Sequence, residues 1–168
     1  TTWLTAVADP GRPGDLTMPW SSGNRVKALA PIVIDVLNMD QQMIHHFGAY
    51  GYWSPAIYPY AQEKVFDRFS PLHPQFDAGL SLLQVVDPYE YRCRLDMPKF
   101  IMNSTGDQFF LPDSSQWYFD RMQGEKLLCY VPNSEHGLND EFELTDSASP
   151  VASLFSFYTS ILYDGDRP

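Results

Sequence analysis

Residues 99–107 read Lys-Phe-Ile-Met-Asn-Ser-Thr-Gly-Asp, and residues 126–137 read Lys-Leu-Leu-Cys-Tyr-Val-Pro-Asn-Ser-Glu-His-Gly. Each opens on a short apolar run, 99–103 in the first and 126–131 in the second, of the kind buried on both faces of a parallel sheet. Each then turns and presents an ionisable residue, Asp107 after one strand and His136 after the next. In open α/β sheets, functional groups gather beyond the carboxyl ends of the strands, where these two residues fall.

An acid followed by a histidine, each after its own strand, is the chain order of the last two members of a Ser…Asp…His hydrolase triad. The imidazole has to take a proton from a hydroxyl, while the carboxylate fixes its tautomer and stabilises the imidazolium. Both groups need rigid supports, because a misplacement of about 1 Å costs on the order of 100-fold in rate. Gly106 is expected to let the chain turn sharply beside the acid. The plainer alternatives are Asp107 as a turn-former in a Gly-Asp pair and His136 as an ordinary loop histidine. Asp113 lies near enough in sequence to compete as the acid, but Pro112-Asp113-Ser114-Ser115 reads better as a helix cap.

Outward from these strands, the chain alternates between strand-like and helical segments. Residues 1–8 read as a helix already under way that ends at Asp9-Pro10-Gly11, so the expectation is that a segment upstream of Thr1 has been removed, cleaved off or left out. A Gly-, Pro- and Ser-rich loop insertion follows over 10–25. Val26 to Asp35 reads as another buried strand, with Pro31 at a bulge or at its end. Helices are expected over 37–47, 62–69 and 76–86, the last ended by Asp87-Pro88, so that 40–95 forms a helical, lid-like excursion. Another is expected from Pro112 to Met122, and a last one over 150–162. Strands alternating with helices predict an α/β fold with a parallel sheet and right-handed crossovers.

Composition narrows the function classes. The 168 residues are 44% hydrophobic and 19% charged, as in an ordinary globular domain. Aromatics reach 15%, which suits a core or pocket built from large rings. A formal charge of −10 repels phosphate backbones and argues against a nucleic-acid partner. No apolar run approaches the roughly 20 residues that span a bilayer. Cys93 and Cys129 are too few for a disulfide scaffold; two buried free thiols are expected, with one disulfide as the alternative. No cofactor fingerprint, phosphate loop or metal-ligand spacing is present. His45 and His46 are adjacent on a helix and diverge by about 100°, which does not suit one metal. His73 reads as a loop residue. The aromatic stretch Tyr50 to Tyr60 is expected to pack as core or lid, with pocket-lining as the alternative.

Longer stretches carry a family resemblance. Trp3-Leu-Thr-Ala6, Ala30-Pro-Ile-Val-Ile-Asp-Val-Leu-Asn-Met39, Tyr50-Gly-Tyr-Trp-Ser-Pro-Ala56 and Val86-Asp-Pro-Tyr89 resemble the PhoPQ-activated pathogenicity-related proteins. So do Gly106-Asp-Gln-Phe-Phe-Leu-Pro-Asp-Ser-Ser115 and Tyr130-Val-Pro-Asn-Ser-Glu-His-Gly-Leu138. That family includes a eukaryotic secreted branch, the autocrine proliferation repressors, and the resemblance covers roughly residues 1–140. It implies the C-terminal part of an α/β-hydrolase fold, secreted or periplasmic, with Asp107 as triad acid and His136 as base. It also implies a nucleophilic serine, and the oxyanion-hole donors, upstream of Thr1. The upstream segment or chain would complete the sheet, and the 168 residues alone are expected to be inactive. Two functions follow: a serine hydrolase acting on an ester or peptide bond of a small-molecule or peptide substrate, or a non-catalytic signalling, growth-repressor or surface-recognition protein on the same scaffold. Fold alone does not choose between them.

Overall fold

The computed structural model describes residues 2–9, 25–69, 72, 74–138 and 149–163. It is a mixed α/β structure with a two-stranded parallel sheet and helices. Strand β1 (Lys99–Ser104) pairs in parallel with β2 (Lys126–Val131), from Lys99 opposite Lys126 to Ser104 opposite Val131. Every residue of β1 is buried, whereas β2 is half-buried until Val131. Alternation along β1 sends Ile101 to one face and Phe100 and Met102 to the other. Helix α1 (Thr2–Ala8) supplies Trp3, Ala6 and Val7 to the first face, with Leu29, Leu37, Leu95 and Tyr118. Helix α5 (Pro150–Tyr163) lays Phe157 against Phe100 on the second, their ring centroids 5.6 Å apart. The sheet therefore carries apolar packing on both faces.

The expected strand over 26–35 reduces to two isolated parallel bridges, Leu29 to Lys99 and Ile32 to Met102. Proline accounts for the difference. Leu29 donates to the Pro98 carbonyl, Phe100 to Leu29, Met102 to Pro31, and Val33 to Met102. The missing rung in this regular parallel ladder is the N–H that Pro31 does not have. At Val33 a φ of 45° then turns the backbone out of the strand conformation. The segment still runs beside β1 on the edge opposite β2, and delivers Asp35 beyond the strand ends.

Helix α2 (Met39–Tyr50) begins later than expected, after Asn38 in the left-handed conformation. Its start is held by Asp87, whose carboxylate accepts the N–H groups of Asn38, Met39 and Tyr89 at 3.3, 2.7 and 2.9 Å. Asp87 thus joins the end of α4 (Phe76–Val86) to the start of α2. The buried face of α2 is also not the apolar one: Ile44 is 67% and Phe47 47% exposed, while Gln42 and His46 are buried. Polar partners explain the inversion. Gln42 donates to the carbonyls of Leu37 and Ser114, and His46 accepts the Ser54 N–H.

The helix expected over 62–69 is instead α3 (Tyr58–Gln62) and a 3₁₀ turn at Phe66–Phe69, separated where Lys64 takes a φ of 55°. The helix expected from 112 to 122 divides into 3₁₀ turns at Ser114–Trp117 and Phe119–Arg121. Tyr118, at φ −139°, breaks it because its fully buried ring is drawn inward to reach Asp35. Between residues 39 and 95 the described residues contain helices and turns and no strand. Apart from Arg25, the expected insertion over 10–25 lies outside the described residues, as does His73. Both cysteines are free, as expected, but Cys93 is exposed and Cys129 half-buried, so neither shows the expected full burial. No helix among the described residues is long and apolar enough to cross a membrane.

Candidate active site

The two loops leaving β1 and β2 are laced together before they reach Asp107 and His136. The Gly106 N–H donates to the Ser134 carbonyl at 2.9 Å, and the Ser104 hydroxyl donates to the same carbonyl. Asn133 donates its N–H to the Thr105 hydroxyl at 2.9 Å. A Cβ on residue 106 would sit 2.7 Å from the Ser134 carbonyl oxygen. Glycine is required here for close approach of two backbones rather than for the sharp turn expected from the sequence.

On this support the two ionisable groups meet. His136 Nδ1 lies 2.8 Å from Asp107 Oδ2. The other oxygen, Oδ1, accepts the N–H groups of Phe109 and Phe110 at 2.6 and 3.0 Å. Asp107 is 5% exposed, so its carboxylate is dry and held on both oxygens. The His136 side chain is 36% exposed, with Phe109 stacked 5.2 Å away at 23°. Its backbone N–H donates to the Gln108 side chain at 3.3 Å. With Nδ1 committed to the carboxylate, Nε2 on the outer edge of the ring is free to exchange a proton with a neighbouring hydroxyl.

Asp113 does not compete for this place. It occupies the cap position before Ser114, as expected, but makes no side-chain cap bond. Its carboxylate lies 2.7 Å from His45 Nε2 and accepts the Gln116 amide at 3.0 Å. His45 and His46 diverge, one to exposed Asp113 and the other into the interior, where burial first and then His45 lower the His46 pKa. Among the described residues no three His, Cys, Asp or Glu side chains gather as a metal site.

A buried polar cluster lies beside the pair, and no catalytic pattern in the sequence singles it out, although Asp35 falls in the family-like stretch 30–39. Asp35 accepts the Asn103 amide at 2.9 Å and the Tyr118 hydroxyl. Burial pushes its pKa up to about 6, opposed by those two hydrogen bonds and helped slightly by the charge of Asp107. Burial, and then the Asp35 charge, raise the Tyr118 pKa as well. The other signal in sequence was a carboxylate ending an apolar run at Ile34-Asp35. Next to this cluster is a cavity of about 190 Å³ whose walls include Met39, Met43, Ile57, Tyr60, Phe109 and Phe110. Of the aromatic stretch, Tyr60 reaches this wall, Trp53 packs on Phe66 at 4.4 Å, and Tyr50, Tyr52 and Tyr58 are exposed.

The family model for the PhoPQ-activated pathogenicity-related protein matches residues 1–162. The chain belongs to that family. Membership covers both strands, both laced loops, Asp107 and His136. A relative from Dictyostelium discoideum, autocrine proliferation repressor protein A, is 35% identical over 170 residues. That match takes in 100% of this chain and 30% of the relative, so the chain spans under a third of the relative's length.

Proposed function

We propose that this PhoPQ-related chain carries the acid and the base of a serine-hydrolase triad, on the C-terminal part of an α/β-hydrolase fold. The observation that carries the reading is the 2.8 Å contact between His136 Nδ1 and a dry, doubly anchored Asp107. Asp107 accepts a hydrogen bond from Nδ1–H and so keeps the proton on Nδ1, which leaves the lone pair on Nε2. Nε2 then takes the proton of a serine hydroxyl as Oγ forms a bond to the carbonyl carbon of an ester or amide. Collapse of the tetrahedral intermediate breaks the bond to the leaving group, which takes that proton from Nε2. Water, deprotonated by the same Nε2, hydrolyses the acyl-serine and restores the hydroxyl. The serine and the oxyanion-hole donors belong to an upstream segment, which also pairs with the sheet. Helices and turns between residues 39 and 95 form the lid-like excursion, the whole being secreted or periplasmic.

The intact protein should react covalently with a fluorophosphonate probe, and H136A should reduce the labelling rate by about 10³-fold or more. Labelling that persists at the wild-type rate in H136A overturns the proposal. A second reading, a non-catalytic growth-repressor or recognition protein on this scaffold, is favoured by the name of the Dictyostelium relative, a proliferation repressor. It predicts no His136-dependent labelling, and growth-repressing activity that survives H136A.

A further inference from the structure

Phe109 and Phe110 do two things at once. Their N–H groups anchor Asp107, and their rings separate His136 from the cavity, with centroids 5.2 and 6.0 Å from the imidazole. A group in that cavity therefore sits one ring away from the base. The chemistry of the cavity is unusually one-sided. Gln42 is spent on two carbonyls, His46 on the Ser54 N–H, and Asp35 on Tyr118 and Asn103. These polar groups are each engaged within the protein, while thioethers, an isoleucine and aromatic rings supply most of the remaining surface.

We propose that this cavity is a specificity pocket for an uncharged hydrocarbon group of about six to eight carbons, borne by the substrate next to its scissile bond; the substrate role rests on the hydrolase reading above. Apolar cavities of ~150 Å³ hold a benzene ring, so about 190 Å³ accommodates a hexyl to octyl chain or a phenylalkyl group. An anionic ligand group is disfavoured because the wall offers it no cation and holds the Asp35 carboxylate. Met39 and Met43 adapt to either a straight chain or a ring, as unbranched thioether side chains do.

Binding can be read without turnover in the full-length protein labelled with ¹³C at the methionine methyls. Titration with 1-butanol, 1-pentanol and 1-hexanol should shift the Met39 and Met43 resonances saturably, with Kd falling about 4-fold per added methylene. Benzyl alcohol in a parallel titration distinguishes an aromatic from an aliphatic group, and saturation by either supports the pocket. Hexanoate, measured above pH 6, should bind at least about tenfold more weakly. M43W should abolish the Met39 shift. If that variant fails to fold, M43A should instead move the length optimum one to three carbons upward. Met39 and Met43 resonances unmoved by the alcohols, or hexanoate and hexanol binding alike, would overturn the pocket. Fluorophosphonate labelling of the same sample separates the two readings: labelling without hydrocarbon binding removes only the pocket, and hydrocarbon binding without labelling removes only the hydrolase.

Discussion

Asp107 illustrates how much one side chain is asked to do. One oxygen holds His136 and the other holds the N–H groups of Phe109 and Phe110, so the imidazole contact and the wall of the cavity are a single unit. Asp107→Asn separates these duties. The amide oxygen can still accept from the two backbone groups, but its NH₂ then faces Nδ1 and forces the proton onto Nε2. We expect near-native far-UV circular dichroism together with a loss of about 10³- to 10⁴-fold in the fluorophosphonate labelling rate. A rate within tenfold of wild type would mean that this carboxylate does not set the tautomer. The sequence offered both residues and their order, with Asp113, three residues beyond Phe110, as a weaker competitor that reads better as a helix cap. Only the fold showed the Asp113 carboxylate engaged with His45 and Gln116.

At the scale of elements, two glycines control how closely neighbouring segments approach. Gly106 lets the two strand-end loops touch, since a Cβ there would press 2.7 Å from the Ser134 carbonyl. Gly106→Ala should therefore destabilise the protein by about 1–3 kcal/mol in urea unfolding. It should also slow labelling, although neither Asp107 nor His136 is altered. Gly124 combines a φ of 71° with a Cβ position only 1.8 Å from the Asp96 carbonyl. Gly124→Ala should cost more than Gly106→Ala in the same measurement, because left-handed strain adds to the clash. Equal urea midpoints for the two variants would contradict this ordering. Elements were legible in sequence where one rule dominated, as in β1, β2, α4 and α5. They were misread where two rules competed: Pro31 interrupting a β-branched run, Tyr118 drawn out of a helical run towards Asp35, and α2 burying glutamine and histidine in preference to isoleucine and phenylalanine.

For the molecule as a whole, Asp35 links folding to pH. Its folded pKa of about 6 lies above the ordinary aspartate value of 3.8, so the folded state holds the proton more tightly than the unfolded chain. Stability from this group is fully present below about pH 4 and is lost as pH rises through about 6, a change of roughly 3 kcal/mol. The stability of wild type minus that of D35N, from urea titrations between pH 4 and 7, should fall with rising pH. A flat or rising difference would show that Asp35 stays ionised in the folded protein.

The sequence by itself determined the parallel α/β pattern, the order Asp107 then His136, and the family, because hydrophobic periodicity, strand-end position and contiguous motifs are all local or ordered along the chain. Tertiary structure alone decided which carboxylate meets which imidazole, why residue 106 has to be glycine, and where the Asp35 cluster and the cavity lie. Those depend on groups far apart in sequence being brought into a dry interior, where a missing hydrogen-bond partner is costly and a close contact admits no extra atom.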